Sequence, residues 1–512
     1  MSTRRVILRN VVSNWTGYAV NVVVALFLSP FVVHSLGDDL YGLWTLIIAF
    51  TGYYGVLDLG IRSAVGQYVT RYWAQGDMPG VNRTMNTAMV LMSGAAVLVI
   101  AASVVISLGF PSWFPVQGEE PWRLQWSIVI MGIGIALNFP LAVYGSATVA
   151  TQRYDLSNLI AIAARLVSAG LIVWVLGAGY GLLGLSIVTT ATTLLGAAAR
   201  VLVAFRLLPG LVFSPRAFAR ISVAEIAHYG FFSFIIRVAD QVIRATSALV
   251  IGVFMTTAAV TYYAIGANLI PYYVSIITGL TWTLTPVATS YDAQGDREGL
   301  RRLLLDGTRV TFTLAAFIGG GMIFLGHDFL RLWMGEKYVS GEEYTSSATI
   351  LAVLAAAYLV RMSQSCGLQV LFGMRQVRFL AALFCAEAAA NLVLSIALVK
   401  PLGLMGVAVA SLLPMLLAQG IVLPLFLLRR LGIPLRKYLA HVPWGGLAAL
   451  AAMGLTCWPV SRYLTADNWP AFILKAIMVS VPAVAAGFIV GITRDEKRSL
   501  GRRLVSIART AG

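Results

Sequence analysis

Charged residues are scarce in this sequence. Asp, Glu, Lys and Arg make up only 11% of its 512 residues, whereas 59% are hydrophobic, and the mean hydropathy is +0.83. Because soluble domains contain about 25% charged residues, this composition excludes an ordinary soluble protein. Apolar runs of about 20 residues, long enough to cross a bilayer, recur along the whole chain. The sequence therefore predicts an all-α polytopic membrane protein with about fourteen transmembrane helices.

Residue types that carry enzyme chemistry are also few. The three cysteines lie inside predicted spans without disulfide or metal-ligand spacing, and the four histidines are scattered near span ends. The chain has no glycine-rich phosphate loop, and its short loops leave no room for a catalytic domain. We therefore expect no enzyme activity, no metal and no cofactor.

The charges that are present have a strong bias in sign, with a net charge of +16. If loops alternate between the two sides and the N-terminus lies inside, Lys and Arg concentrate on the inner side, in pairs such as Arg301 with Arg302 and Arg429 with Arg430. The positive-inside rule then places both termini in the cytoplasm. The basic balance reflects topology and attraction to anionic lipids rather than binding to nucleic acid.

A short polar element occurs twice, as AQGDMPGVNR at 74–83 and as AQGDREGLRR at 293–302. A second pair, GYGLLGLSIVTT at 179–190 and PLGLMGVAVASL at 401–412, has nearly the same separation. Convergent turn chemistry is the alternative explanation, but two matches predict parallel repeats of six helices each. The AQGD glycines would permit a turn and the aspartates would cap the next helix.

The repeats predict the organisation of the chain. It comprises an N-lobe of six helices (1–208), a cytoplasmic linker (209–228), a C-lobe of six helices (229–430), two accessory helices (431–491) and a basic cytoplasmic tail (492–512). Two six-helix halves are typical of secondary transporters, in which the substrate site lies between the repeats and the halves give alternating access.

Several ionisable residues lie where lipid would surround the helices. A charge at the bilayer centre costs roughly 2.5–3.5 kcal/mol, so each is a candidate functional residue. The candidates are Arg62, Arg165, Arg237, Arg244, Arg361, Asp58, Asp240 and Glu387. Asp58 and Arg62 have the i, i+4 spacing of an ion pair within one helix. Glu387 is the best lone acid for proton coupling, although it could instead pair with an arginine.

Span 7 carries a polar stripe on an otherwise apolar helix. Arg237, Asp240, Gln241 and Arg244 share one face of this span, and the repeat relates them to Asn14 and Asn21 on span 1. We expect both stripes to line one central cavity. The alternative is that Asp240 pairs with the neighbouring arginines only to hold helices together.

The cluster of arginines predicts an anionic ligand. Arginine matches phosphate oxygens bidentately and stays charged in a low dielectric, so a phosphate or pyrophosphate head group is the best candidate. Span 8 adds Asn268, Tyr272 and two prolines, Pro271 and Pro286, that would kink it. Its amide and aromatic groups could contact sugar rings, but they are also ordinary packing and interface residues.

Particular motifs resemble those of a known family. SLGDDLYGLWTLIIAFTGYYGVLDLG at 35–60, the RYWAQGD that follows it at 71–77, and TQRYDLSNL at 151–159 are similar to polysaccharide transporters of the MOP (MATE-like) superfamily, the Wzx-type flippases. The resemblance implies a V-shaped, two-lobed bundle that moves an oligosaccharide on undecaprenyl pyrophosphate across the bacterial inner membrane, driven by an ion gradient. It also implies polysaccharide polymerase and assembly proteins as partners.

Three other functions stay open at this stage. A lipid II flippase shares the arginine-lined cavity and the number of spans. A multidrug or cation extruder of the same superfamily would need an acid in span 1 or 7 without surrounding arginines, and span 1 has no acid. A non-transporting scaffold for polysaccharide assembly would not need charges at mid-depth.

Overall fold

The computed structural model describes residues 3–114, 120–214 and 220–491. Every regular element within these ranges is helical, and no strand occurs in them. The predicted all-α class is therefore confirmed. The predicted basic tail and part of the predicted linker, 215–219, lie outside the described residues.

Twenty α-helices follow one another along the described chain. The first eight are α1 (Thr3–Tyr54), α2 (Ile61–Ala74), α3 (Met78–Trp113), α4 (Pro121–Ala142), α5 (Ser146–Ala150), α6 (Tyr154–Gly177), α7 (Gly181–Leu207) and α8 (Arg220–Phe254). The next six are α9 (Thr257–Ala267), α10 (Ile270–Thr281), α11 (Leu284–Ala293), α12 (Arg297–Met334), α13 (Lys337–Ser340) and α14 (Ser347–Ser363). The last six are α15 (Ser365–Gly373), α16 (Val377–Leu417), α17 (Leu423–Leu431), α18 (Leu435–His441), α19 (Trp444–Tyr463) and α20 (Trp469–Gly491).

Ten segments of the described chain are long and apolar enough to cross a membrane, or eleven if α18 and α19, bent by 44°, form one span. Two of these segments, Val12–Asp58 and Val377–Leu431, each cover two of the predicted spans. A straight helix of 52 residues would be about 78 Å long, more than twice the hydrocarbon thickness. In α1 the helix is interrupted at Gly37 (φ 76°, ψ 172°) and in α16 at Gly403 (φ 57°, ψ −137°). The protein is thus a multi-pass membrane protein, and the number fourteen stays a prediction.

The two AQGD turns have the same geometry. Gly76 and Gly295 have φ values of 71° and 69°, which a side chain would disfavour. Each following aspartate accepts a hydrogen bond from the backbone three residues on: Asp77 from the Gly80 N–H at 2.9 Å and Asp296 from Gly299 at 2.8 Å. These bonds cap α3 and α12, as the sequence predicts.

A second turn is also duplicated. The sequence predicts that Arg153 and Arg375, which are 222 residues apart like the second pair of motifs, are equivalent, and the structure shifts this match by one residue. Gln152 and Arg375 are both left-handed, with φ values of 54° and 55°, and Arg153 and Gln376 follow as the caps of α6 and α16. The structure therefore matches Gln152, not Arg153, with Arg375. The order is Gln–Arg in the first repeat and Arg–Gln in the second, so the repeat retains the backbone turn and not the identity of its side chains.

The chain forms two compact units, unit 1 (1–261) and unit 2 (262–512). In unit 1, α2, α3, α4 and α7 surround a core that includes the fully buried Val65, Met92 and Ala204 and the nearly inaccessible Phe139. Helix α8 opens the second sequence repeat but packs within unit 1, on α1 and α2.

In unit 2, the accessory helices α19 and α20 pack on α12. Lys475 on α20 donates a hydrogen bond to Asp328 on α12 at 2.6 Å, and both side chains are mostly buried. Three residues further along α12, Arg331 binds the Ala466 carbonyl at 2.8 Å. The rest of the contact is apolar and includes the buried Met453 of α19 and Val479 of α20. The accessory helices are thus held by both apolar and ionic contacts.

Candidate functional site

A ladder of polar contacts joins α1 to α6 in unit 1. Arg9 pairs with Asp155 at 3.5 Å, and Asn14 accepts a hydrogen bond from the Asn158 amide at 2.5 Å. One turn further on, Gly17 lies against Asn158 and Ile162. The partners advance together along both helices, so α1 and α6 run parallel.

This register places two predicted site residues at the same depth. Asn21 and Arg165 each lie seven residues beyond the Asn14–Asn158 contact, which is about 10 Å along each helix. Asn21 donates to the Gly17 carbonyl at 2.9 Å. The Arg165 Nε is buried and makes no hydrogen bond. A buried guanidinium nitrogen without an acceptor favours an anionic ligand at this place, because its desolvation is otherwise uncompensated.

The second predicted span is broken at its middle. A short 3-10 turn, Gly55–Asp58, follows α1, and Leu59 and Gly60 are then left-handed, with φ values of 49° and 79°. Helix α2 begins only at Ile61 and is about 21 Å long. Discontinuous helices of this kind border the binding sites of many transporters.

Asp58 and Arg62 form the predicted ion pair, but across the break. The Arg62 Nε lies 3.2 Å from the Asp58 carboxylate, whose other oxygen accepts the Arg62 backbone N–H at 3.2 Å. The prediction of a pair within one continuous helix is therefore wrong, because Leu59 and Gly60 separate the two residues. Asp58 is buried and also satisfies the first turn of α2.

Arg62 has two further neighbours. Its guanidinium lies 5.6 Å from the centre of the Phe139 ring. It is also close enough to Arg200 on α7 for the two positive charges to repel each other. Arg200 is not among the sequence-predicted candidates, although it lies seven residues before the end of α7. Only Arg62 pairs with Asp58, so the charge of Arg200 is not balanced by this carboxylate.

The stripe on α8 contains an internal ion pair, the alternative that the sequence leaves open, and its place in a central cavity stays a prediction. Arg244 pairs with Asp240 at 2.5 Å and donates to the Gln241 side chain at 3.4 Å. Gln241 approaches α1 so closely that a methyl group on Gly52 would lie 2.6 Å from its Nε2. Arg237, one turn earlier, is exposed. The stripe thus both packs against α1 and presents cationic groups.

A separate buried cluster lies in unit 2. Glu387 is 2% exposed, and its two oxygens face the Arg361 Nη1 at 3.6 Å and the Gln419 amide, which donates at 2.7 Å. The Arg361 guanidinium also lies 5.1 Å from the Phe384 ring centre. Gln419 belongs to a single π-helical turn, Ala418–Val422. Such turns occur often at functional sites.

The predicted span 8 is divided into α9, α10 and α11. Asn268 lies in the break between α9 and α10, and Tyr272 lies in the first turn of α10 beside Pro271. Pro286 is the third residue of α11 and lies in its first turn. Both prolines stand in first turns, where the missing N–H costs least.

The structure brings the predicted residues together in groups. Those grouped within unit 1 are Asp58 with Arg62, Asp240 and Gln241 with Arg244, and Asn14 and Asn21 on α1, which packs against the helix α6 that carries Arg165. In unit 2, Arg361 and Glu387 meet, while Asn268 and Tyr272 flank a helix break. Within the described ranges, no group of three or more His, Cys, Asp and Glu residues could hold a metal ion.

A second arginine is also missing from the predicted set. Arg309 on α12 is 4% exposed and lies 3.6 Å from Asp306 and 3.4 Å from His441 on α18. Arg309, like Arg200, lies inside a predicted span, and this position alone could have identified both as candidate functional residues. Arg200 lies in the last two turns of α7, where a long side chain is usually assumed to reach the interface.

Comparison with known proteins reveals relatives at low identity. Residues 123–341 match a family model described as polysaccharide biosynthesis protein. An uncharacterized membrane protein of Bacillus subtilis, EpsK, is 23% identical over 96% of this chain and 97% of its own length. A putative O-antigen transporter of Shigella flexneri is 26% identical over 30% of this chain and 36% of its own length.

Solved structures share the fold. The lipid II flippase MurJ in an inward closed conformation has a TM-score of 0.67 at 14% identity, covering 94% of this chain and 98% of that one. An inward-facing multidrug resistance MATE family transporter of the MOP superfamily has a TM-score of 0.61 at 14% identity, covering 80% and 94%. At these identities the likeness establishes the fold alone, and it confirms the predicted MATE-like architecture.

Proposed function

Since the resemblance to polysaccharide transporters of the MOP superfamily is confirmed in sequence and in fold, we propose that this chain is a flippase for a lipid-linked oligosaccharide. Its substrate is an oligosaccharide on undecaprenyl pyrophosphate, which moves from the cytoplasmic to the periplasmic leaflet by alternating access. The protein is a secondary transporter of the bacterial inner membrane, with both termini in the cytoplasm, and it catalyses no covalent step.

The observation that carries this proposal is the excess of arginine inside unit 1. The spans that the sequence predicts within unit 1 hold five arginines, Arg62, Arg165, Arg200, Arg237 and Arg244, against two aspartates, Asp58 and Asp240. An uncompensated charge is costly in the membrane, so the excess supports an anionic ligand. A pyrophosphate offers several oxygens to arginine forks, which keep their charge in a low dielectric.

The helix break next to Arg62 adds to this site. The N-terminal end of α2 carries a partial positive charge, and Arg62 lies in its first turn. A diphosphate here would relieve the repulsion between the Arg62 and Arg200 guanidinium groups, while Asp58 keeps Arg62 oriented through its ion pair. The amides of Asn14, Asn21 and Asn158 on α1 and α6 offer hydrogen bonds suited to the sugar hydroxyls.

Ion coupling is assigned to the cluster in unit 2. Glu387 is a buried acid held by one arginine and one amide, so its charge state controls an ion pair inside the membrane. Protonation would release Arg361, and deprotonation would hold it again. A gradient that drives this exchange would drive the conformational cycle of the transporter, and partners in polysaccharide polymerisation would use its product.

Arginine substitutions test the proposed substrate site. We expect Arg62→Ala and Arg200→Ala, and likewise the double variant Arg237→Ala with Arg244→Ala, to reduce surface polysaccharide at least tenfold in a complementation assay, because each removes charge from the anion site. Arg206→Ala is the matched control, since Arg206 is exposed in the last turn of α7. Normal export by inserted Arg62, Arg200 and Arg237–Arg244 variants would contradict the proposal.

A lipid II flippase is the second candidate, because the fold match to MurJ covers more of this chain than the match to the MATE transporter. Its substrate also carries a pyrophosphate, so the arginines do not separate the two functions. The family model and the O-antigen relative favour the polysaccharide substrate. Rescue of bacterial cells depleted of their lipid II flippase would favour the second candidate.

A further inference from the structure

The stretch 429–441 forms a strongly basic surface on unit 2. Helix α17 has two arginines in its last turn, and α18 adds two more cations after the turn at Gly432. All four residues are exposed: Arg429, Arg430, Arg436 and Lys437. The sequence has no Asp or Glu between Glu387 and Asp467, so no acid on this part of the chain neutralises them.

The first turns of α12 extend this surface. The Arg301 Nε donates to the Leu431 carbonyl at 2.7 Å, so the start of α12 lies against the end of α17. Arg301 also pairs with Glu298 at 3.5 Å, whereas two neighbouring arginines of α12 are exposed. We define the α12–α18 surface by its six exposed cations: Arg297, Arg302, Arg429, Arg430, Arg436 and Lys437.

Apolar side chains on α18 indicate what covers this surface. Leu435 and Leu439 lie one turn apart on the same face of α18 and are 49% and 51% exposed. Trp444, at the start of α19, is 55% exposed. Exposed leucines between cations, next to a tryptophan at the end of a membrane helix, are typical of a helix in the lipid head-group region. A water-soluble acidic partner would match the charges but would not explain leucines beside a membrane span.

The inner face of α18 contacts the helix that carries Arg361. The Tyr438 hydroxyl and the Gln364 side chain are hydrogen-bonded, with the Gln364 Nε2 donating at 3.1 Å, and both residues are buried. Gln364 stands in the break between α14 and α15, three residues after Arg361. The position of α18 is therefore coupled to this break.

We propose that the α12–α18 surface binds the phosphate head groups of anionic phospholipids in the surrounding bilayer, and that the Tyr438–Gln364 contact transmits this binding to the break between α14 and α15. The charge selects anionic over zwitterionic lipids, and the leucines hold α18 at the acyl boundary. The site is separate from the arginines of unit 1.

Lipid titration of the purified full-length protein tests the binding site. Native mass spectrometry in detergent should show tighter binding of phosphatidylglycerol than of phosphatidylcholine. Each basic side chain near an anionic surface strengthens binding about fivefold. The double variant Arg436→Gln with Lys437→Gln should therefore bind phosphatidylglycerol roughly thirtyfold more weakly and leave phosphatidylcholine binding unchanged.

The matched control is Arg71→Gln with Arg83→Gln, which removes two exposed cations from unit 1. It should retain phosphatidylglycerol binding, and both variants should keep the unfolding temperature of the parent in detergent. Equal weakening in the control, unchanged binding in the α18 variant, or equal affinity for both lipids would overturn the proposal. Capture of an acidic soluble protein instead of phosphatidylglycerol would also overturn it.

Hydrogen exchange tests the transmission step. Phosphatidylglycerol should slow amide exchange at the break between α14 and α15 in the parent protein. Tyr438→Phe keeps the buried ring and removes only the hydroxyl, so it should bind the lipid within twofold of the parent but lose this protection. Equal protection in Tyr438→Phe, or none in the parent, would contradict the coupling. These experiments measure phospholipid binding and amide exchange, so their results do not depend on which substrate the protein transports.

Discussion

Glu387 and Arg361 show how single side chains carry charge inside unit 2. The Glu387 side chain has no exposed surface and that of Arg361 is 13% exposed, so neither charge has much access to solvent. Their separation of 3.6 Å and the amide of Gln419 compensate for part of the desolvation. Removing one partner therefore leaves a buried charge without its counterpart, which costs far more than removing both.

The stability of the protein should reflect this coupling. We expect Glu387→Ala to lower the free energy of unfolding by about 3–5 kcal/mol, and Arg361→Met in the same chain to restore much of the loss. Chemical unfolding in detergent micelles measures both effects. Glu336→Ala is the control, because this exposed acid lies 4.0 Å from Arg331 and contributes less than about 1 kcal/mol. A loss below 1 kcal/mol for Glu387→Ala would mean that the pair is not buried in solution.

At the scale of elements, the sequence predicts the two AQGD turns better than it predicts the break in span 2. The AQGD turns are predictable because a glycine with positive φ and a capping aspartate have strong local preferences. The break at Leu59 is not, because LDLG continues an apolar run and a left-handed leucine has no local signal. The left-handed conformation of Leu59 costs about 1–2 kcal/mol.

The matched caps give a direct test of repeat equivalence. Asp77→Ala and Asp296→Ala should each lower the free energy of unfolding by about 1 kcal/mol, because each removes one hydrogen bond to a helix N-terminus. The two losses should agree and add within about 0.5 kcal/mol, since the sites share no partner. Asparagine at either position should retain most of the stability. Unequal losses in chemical unfolding would show that the two turns are not equivalent.

The break in span 2 can be tested at its glycine. Gly60→Ala places a side chain at φ 79°, so we expect a loss of about 1–2 kcal/mol in stability and reduced export. Leu59→Gly should stabilise the break by removing strain. Gly55→Ala is the control, because a methyl group there would meet no atom within 4 Å. Normal stability and export in Gly60→Ala would indicate that the helix does not break at this residue.

At the scale of the whole molecule, the fold was predictable and the site only in part. Apolar runs, charge bias and repeated motifs determine a multi-pass helical protein, because the bilayer permits few alternatives. The pairing of Arg361 with Glu387 depends on how α14 and α16 pack, which periodicity along one helix does not reveal. Arg200 was missed because it lies in the last two turns of α7, and one helix alone does not reveal that it lies within electrostatic range of Arg62.

The central claim is that this chain carries a polyprenyl-pyrophosphate-linked oligosaccharide, and the lipid that the protein retains tests it most directly. The full-length protein would be purified gently from its bacterial membrane, and the bound lipids identified by mass spectrometry, with the Arg62→Ala, Arg200→Ala double variant in parallel. The account predicts a polyprenyl pyrophosphate bearing sugars on the parent protein and at least tenfold less on the variant. Recovery of an organic cation with no polyprenyl-linked sugar would contradict it.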